Sequence, residues 1–320
     1  VRVQLAELGG CSVNEVAICR NTTEALNNAI WGIDLNPGDE VILSKFDYPN
    51  MMNAWKQVAK RKGVVLKWVN LELPSTDNDY IVKQFEAAIT EKTKVMEITH
   101  VINWCGQVLP AKALCELARK NNIISVVDAA HSFAHLEYSI KEMNCDVLGT
   151  SLHKWLNAPF GTGMLYVKAA LISKIWPLFA HPEGDDNNIT KFEHMGTRPF
   201  PLELSIGHAV AFHNRIGTKL KEQRLVYLRE YWAKKVEKNN KLIFWAPRKT
   251  GYGSALCLLG VKDRKGAELS TYLFKNFGIH VTVINYEYLD GIRITPNIYT
   301  SLKDLDRLVE GIHGYLQSIE

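Results

Sequence analysis

The sequence predicts an α/β fold, with a mostly parallel sheet in a large domain followed by a smaller α+β domain. Through the first two hundred or so of its 320 residues, apolar strand-like segments alternate with helical patterns of roughly ten residues. After about residue 200 the order changes, and two long helical patterns precede the next strand. The last segment, 302–319, repeats leucine, isoleucine and valine at helical spacing. The alternation therefore predicts a doubly wound α/β layer, and the change in order predicts a second, smaller α+β domain.

The large domain is predicted from seven strands and the helices between them. Strands are expected at 15–20, 41–46, 64–71, 94–101, 123–130, 147–151 and 163–167. Helices are expected directly after residue 24 and at 50–61, 80–90 and 111–120. Connections of this length favour parallel neighbours, because a crossover needs a helix to return the chain to the same edge.

The smaller domain is predicted from longer helices and fewer strands. Helices are expected at 203–216, 219–239, 270–277 and 302–319, and strands at 255–261 and near 279–284 and 291–295. The domain boundary is expected within 195–220, and we assign 1–205 to the large domain and 206–320 to the small one.

Composition excludes several classes of protein. The net charge of +4 is spread along the chain, which argues against a nucleic-acid-binding stripe, and no apolar run is long enough to predict a membrane span. The six cysteines form no CxxC pair and no metal pattern, so reduced thiols in a cytoplasmic protein and no metal site are expected. The chain begins at Val1 rather than Met, and we expect an N-terminal segment, with any targeting signal it carries, to be missing.

Three motifs follow predicted strand ends. Thr22 and Thr23 join a strand to a helix start, which fits an anion site but also an ordinary helix cap. Asp128 ends an apolar strand, where it is either a buried acid in a ligand crevice or a turn cap. Lys154 follows another strand end, and it is either a buried, nucleophilic amine or a side chain that reaches out to solvent.

The combination is more informative than any single motif. A phosphate site, an acid and an amine at neighbouring strand ends meet the needs of pyridoxal 5′-phosphate (PLP). This cofactor requires a lysine for an imine, an acid at its pyridine nitrogen and an anion cradle. The Gly161-Thr162-Gly163 turn that follows Lys154 is expected to let the chain pass close by.

The DAAH motif at Asp128 and the SLHK motif at Lys154, with the spacing between them, resemble the class V aminotransferases of PLP fold type I. This group also contains cysteine desulfurases and isopenicillin N epimerase-like enzymes, and the resemblance covers nearly the whole chain. It implies an enzyme acting at the α-carbon of an amino acid, with active sites shared across a homodimer. Transamination and epimerisation are the leading reactions, and C–S or other β/γ-elimination is the alternative. A non-catalytic PLP-binding protein is a further alternative.

The resemblance also implies a role for each site residue. Lys154 would bind the cofactor covalently, Asp128 would pair with its ring nitrogen, and His131 would lie near the ring hydroxyl, making these three the catalytic residues. Arg293 would bind the substrate carboxylate, for which a two-pronged guanidinium is suited. The remaining cofactor-binding residues would be Thr22, Thr23, Ser151 and His153 at the phosphate, Tyr48 on the ring face, Asn103 at the ring oxygen, and Gly196 and Thr197 at the phosphate of a neighbouring subunit.

One departure bears on the reaction. Desulfurases carry a reactive cysteine shortly before the carboxylate-binding arginine, but residues 280–295 contain none. Cys257 lies in an apolar strand pattern, where burial is expected to raise its pKa and keep the thiol inert. Sulfur transfer through a persulfide is therefore not expected. The segments around Tyr48, Thr197 and Arg293 are most similar to the isopenicillin N epimerase-like branch.

Overall fold

A computed structural model of the chain describes residues 1–181, 184 and 186–319. These residues divide into two compact units. The first takes residues 1–71, 77–101 and 109–218, and the second takes 72–76, 102–108 and the residues from 219 onward.

The first unit contains a seven-stranded, mostly parallel sheet, as predicted. Its strands are β1 (Val16–Cys19), β2 (Glu40–Ser44), β3 (Val65–Val69), β4 (Thr93–Thr99), β5 (Ile124–Asp128), β6 (Val147–Ser151) and β7 (Gly163–Val167). They lie in the order β1-β7-β6-β5-β4-β2-β3. Strands β2 to β6 pair in parallel, whereas β7 runs antiparallel to both β6 and β1. The carboxyl ends of β1, β2, β4, β5 and β6 therefore meet at one edge.

The first unit also contains helices. They are α1 (Arg2–Gly9), α2 (Thr22–Gly32), α3 (Pro49–Lys62), α4 (Asn78–Glu86), α5 (Ala111–Lys120), α6 (Ile140–Met143), α7 (Ala169–Ile172) and α8 (Phe200–Ile216). A buried cluster joins the apolar sides of α2 and α3 to residues from six strands, including Val41, Val95, Val126 and Val147. This packing holds the start of α2 against the strand ends.

The second unit contains a four-stranded antiparallel sheet in the order β10-β11-β9-β8. Its strands are β8 (Leu242–Phe244), β9 (Cys257–Val261), β10 (Thr282–Tyr286) and β11 (Leu289–Ile294), and its helices are α9 (Thr218–Val236), α10 (Gly266–Phe277) and α11 (Leu302–Ser318). The repeated apolar residues of α11 pack into one core with α9, α10 and the sheet. Among the helices of the described ranges, none has the length and apolar character needed to cross a membrane.

Candidate functional site

Polar side chains gather where the parallel strands of the first unit end. Asp128 is the last residue of β5, and it lies opposite Thr99 of β4 and Gly149 of β6. Ser151 stands two residues beyond Gly149, so its side chain points to the same face of the sheet as that of Asp128. This face is the one that α2 and α3 cover, and the site is therefore built between strand ends and helix starts.

Two hydroxyl groups meet at the start of α2. The Thr22 and Ser151 hydroxyl oxygens lie 2.7 Å apart, and the Thr22 backbone N–H donates to Ser151 Oγ over 2.9 Å. Asn21 caps the helix by accepting from the Glu24 N–H, and Asn50 Nδ2 lies 3.5 Å from Thr23 Oγ1. Hydroxyls beside the positive end of a helix are a suitable cradle for phosphate.

The predicted close approach occurs at Gly163. A Cβ atom on Gly163 would lie 2.6 Å from the backbone N and Cα of Asn21, a distance that no real side chain tolerates. Gly161 has a φ of 84°, in the left-handed region that glycine adopts without strain. The connection from β6 to β7 can therefore pass directly over the start of α2.

Asp128 is a buried acid, only 4% exposed. Its Oδ1 accepts a hydrogen bond of 2.8 Å from the Ala130 N–H. Burial raises the pKa of Asp128, whereas any positive charge on the nearby Lys154 and the hydrogen bond from the Ala130 N–H act to lower it. A cationic group held beside Asp128 therefore stabilises its ionised form.

Lys154 contacts a histidine rather than solvent alone. Its Nζ lies 3.1 Å from His131 Nε2, and the Trp155 indole Nε1 donates to His131 Nδ1 over 3.3 Å. Lys154 is half-buried, which is intermediate between the buried amine and the solvent-reaching side chain that the sequence left open. The loop leaves the strand at Ser151 and places the Lys154 amine beside His131, with its side chain partly exposed.

The other predicted residues of the first unit lie around these groups or on its surface. Tyr48 precedes α3 and is 39% exposed. The pKa of His153 is lowered by burial, and its Nδ1 donates to the Thr162 carbonyl over 3.3 Å. Gly196 and Thr197 are exposed and lie in the segment before α8.

Asn103 and Arg293 both belong to the second unit, and the fold brings them together. Arg293 Nη1 donates to the Asn103 carbonyl over 2.7 Å, and Arg293 lies in β11, paired with β9 and β10. The Asn103 side-chain Oδ1 is buried without a hydrogen-bond partner among the described residues. A buried amide oxygen of this kind is suited to accept a bond from a ligand.

Two carboxyl groups near Asp128 were missed by the sequence analysis. Asp47 and Glu97 are both fully buried. Asp47 accepts from the Thr99 hydroxyl over 2.7 Å and from the Ser44 N–H over 2.8 Å. Glu97 accepts from the indole N–H of Trp55, and its other oxygen, Oε1, has no hydrogen-bond partner among the described residues. A charged residue type within the apolar strand of residues 93–99 was the signal that could have revealed Glu97.

Burial governs the titration of this pair. It raises the pKa of Asp47 to about 7, with a smaller contribution from the Asp128 charge. It raises the pKa of Glu97 well above its usual range, and the Asp47 charge adds to that shift. The carboxyl groups of Asp47 and Glu97 therefore hold their protons more tightly in the folded chain than in the unfolded chain, where they release them at about pH 4.

We expect Glu97→Gln to stabilise the protein at neutral and higher pH. The stability contributed by a raised carboxyl pKa is complete below about pH 4 and is lost as the pH rises through the folded-state value. Glutamine keeps an acceptor for Trp55 but cannot ionise. The free energy of unfolding should therefore match that of the unaltered protein at about pH 4, and exceed it by on the order of 2 kcal/mol at about pH 8. Urea denaturation at several pH values measures both.

The control is Glu86→Gln, which removes an exposed carboxyl from α4. It should leave the pH dependence of unfolding unchanged. A Glu97→Gln curve parallel to that of the unaltered protein would mean that Glu97 is not held protonated in the fold.

A secluded acid, a strand-end amine and a hydroxyl-lined helix start are the donor set that a PLP enzyme uses, and the residues present fit that cofactor. The aminotransferase class-V family model matches residues 1–303. The chain belongs to this family, so the family predicted from the DAAH and SLHK motifs is confirmed, and with it an enzyme whose cofactor is PLP.

Individual relatives carry different activities. The chain is 28% identical to isopenicillin N epimerase of Streptomyces clavuligerus, over 97% of this chain and 82% of that protein. It is also 28% identical to a probable cysteine desulfurase of Halalkalibacterium halodurans, over 94% of this chain and 77% of that protein. The family is therefore shared by proteins named for different reactions.

Solved structures confirm the predicted fold type. A cysteine desulfurase of Thermococcus onnurineus NA1 in its apo form superposes with a TM-score of 0.88 at 19% identity, covering 99% of this chain and 83% of that one. The cystine C–S lyase C-DES, solved with its product cysteine persulfide, gives 0.87 at 22% identity, covering 97% and 84%.

Proposed function

We propose that this enzyme moves the α-proton of an amino acid with Lys154 and releases either a keto acid or the opposite enantiomer. The observation that carries the proposal is the Lys154 Nζ–His131 Nε2 contact of 3.1 Å beside the buried Asp128. When bound, PLP supplies an electron-accepting ring that makes the α-proton acidic. A lysine amine within reach of an imidazole can then take and return that proton.

Each site residue has a proposed task. Asp128 holds a proton on the cofactor ring nitrogen, because a buried carboxylate favours a cation beside it. Thr22, Ser151 and the start of α2 hold the phosphate, with Thr23 and His153 at its edge. Tyr48 covers the ring face, while Asn103 bonds the ring oxygen and Arg293 holds the substrate carboxylate.

The state of the thiols supports a reaction without a persulfide. All six cysteines are unpaired, and five of them are buried. Burial raises the pKa of Cys257 to about 12, which agrees with the expectation of an inert thiol. Burial also raises the pKa values of Cys11, Cys105 and Cys115 to about 12. Burial also raises the pKa values of Cys19 and Cys145 well above the usual range. Sulfur transfer needs a thiolate nucleophile, and these surroundings disfavour one.

The predicted homodimer remains a proposal. Gly196 and Thr197 are exposed, and Arg198 beside them forms ion pairs with Glu193 and with Glu203. These ion pairs hold Arg198 next to the two residues proposed to reach the phosphate of a second subunit. Sedimentation under assay conditions tests it, since full activity from a monomer would contradict a shared site. The cytoplasmic location likewise stays a prediction.

We expect Arg293→Lys to raise KM for α-amino acids about 10- to 100-fold and to change kcat much less. Lysine keeps the positive charge but loses the paired donors that match a carboxylate, and such charge-assisted bonds contribute about 1.5–3 kcal/mol. The cofactor absorbance should stay the same. Steady-state kinetics compared with an amine that lacks the carboxylate measures the effect, and an unchanged KM would remove this role.

The reaction itself can be determined by titrating the holoenzyme with L- and D-amino acids, including sulfur-containing ones, and analysing products by mass spectrometry and chiral chromatography. A keto acid or an inverted enantiomer supports the proposal. Pyruvate with a thiol would instead establish an elimination reaction. A chain that never takes up PLP would favour a non-catalytic role.

A further inference from the structure

His131 makes a defined contact at each of its two ring nitrogens. Trp155 Nε1 donates to His131 Nδ1 over 3.3 Å, and Lys154 Nζ lies 3.1 Å from His131 Nε2. Trp155 is itself held firmly, because it is 3% exposed and its ring stacks on that of His135 with centroids 3.8 Å apart. The His135 Nδ1 in turn donates to the His131 carbonyl over 2.7 Å.

The indole decides which nitrogen of His131 carries a proton. An indole N–H only donates, so the Nδ1 that faces it must accept through a lone pair. A neutral imidazole has one N–H, and it is therefore on Nε2. The charged imidazolium has an N–H on both nitrogens. Its Nδ1–H would face the indole N–H of Trp155, and two donors cannot form a hydrogen bond with each other.

The same reasoning extends to Lys154. If His131 carries its proton on Nε2, the Lys154 Nζ that faces it accepts a hydrogen bond, which only a neutral amine can do. An ammonium donating to Nε2 would require the Nδ1–H form, which Trp155 opposes. The negative charge of Asp128 at the end of β5 favours the ammonium form of Lys154. The Nε2–H tautomer of His131 acts in the opposite direction and favours the neutral amine.

We propose that Trp155 is a positioning residue that fixes His131 in its Nε2–H form and thereby holds the Lys154 amine in the neutral state that attacks a carbonyl. This inference rests on the proposed role of Lys154 as the reactive amine. It assigns to Trp155 a function beyond packing, through one hydrogen bond that a phenyl ring cannot make.

The test is nitrogen NMR on the full chain without cofactor, with ¹⁵N label in the histidine rings. The signal of His131 is assigned by its loss in His131→Gln. Protonation on Nε2 with Nδ1 unprotonated is expected, persisting to at least about one pH unit below the usual histidine pKa of about 6.5. The Nδ1–H form in the unaltered protein would overturn the proposal without any variant of Trp155.

The matched variant is Trp155→Phe, which preserves an aromatic ring against His135 and removes the donor together with one ring of the indole. Its His131 should show a mixture of both tautomers and titrate about one pH unit higher. The pH at which PLP attaches to Lys154 should rise in parallel. A purely packing role would lower the melting temperature and leave the tautomer unchanged, and that result would refute the inference. Because the NMR needs no cofactor, it can succeed or fail independently of the proposed reaction.

Discussion

Replacing Lys154 with alanine should abolish covalent attachment of PLP and lower turnover by about 10³-fold or more. Alanine has no amine to bond the cofactor or to carry the α-proton, and a positioned acid–base group alone contributes about 10²- to 10⁴-fold. Because Lys154 is half-buried in a loop rather than packed in the core, the variant should fold normally. Borohydride reduction followed by peptide mapping locates the attachment, and single-turnover assays measure the loss.

Lys168→Ala is the matched control. Lys168 lies on the same stretch of chain, just beyond β7, where its amine forms an ion pair of 3.5 Å with Asp146. Its loss should leave attachment and turnover nearly unchanged. If reduction labels a lysine other than Lys154, or labels none, the proposed chemistry is wrong at its starting point.

The second large effect is expected for Asp128→Asn, which should retain the cofactor but lower turnover by about 10²- to 10³-fold. Asparagine has nearly the same shape and its oxygen can still accept from the Ala130 N–H. It cannot supply the negative charge that keeps a proton on the ring nitrogen, so the ring draws electrons from the substrate less strongly. Visible absorbance reports the retained cofactor, and rapid-mixing kinetics report the slowed proton removal.

The control for this variant is Asp146→Asn. Asp146 precedes β6, at the opposite end of the strand from Ser151, and it accepts from both the Ser125 N–H and hydroxyl. Its replacement should cost some stability but little activity. Near-normal turnover by Asp128→Asn would show that the carboxylate of Asp128 is not what keeps the ring nitrogen protonated.

The sequence predicted the main elements of the fold because their patterns are local. Buried parallel strands such as β5 and β6 are short apolar runs, and α11 repeats its apolar residues over its whole length. Four of the labelled elements were missed: α1, α6, α7 and β8. Helix α1 has a weak amphipathic pattern, and the other three are only three or four residues long, so packing rather than local pattern decides their conformation.

The candidate site was predictable where one motif places a residue at a strand end. Asp128 and Lys154 could be found in this way because the carboxyl ends of parallel strands share an edge. Asp47 and Trp155 could not, because their importance depends on which side chains meet in the folded chain, and Glu97 left only the signal of a charged residue within an apolar strand. The register that sets Thr99 opposite Asp128, and the bond from Thr99 to Asp47, are properties of the folded chain.

The connection that carries Lys154 starts at Ser151, bonded to Thr22, and finishes at Gly163, pressed on Asn21. Both ends of this connection therefore contact the start of α2. A residue inserted between them would lengthen the connection and move the amine, while the contacts at Ser151 and Gly163 keep the hydroxyls in place. The position of the amine can therefore change without disturbing the hydroxyls that are proposed to hold the phosphate.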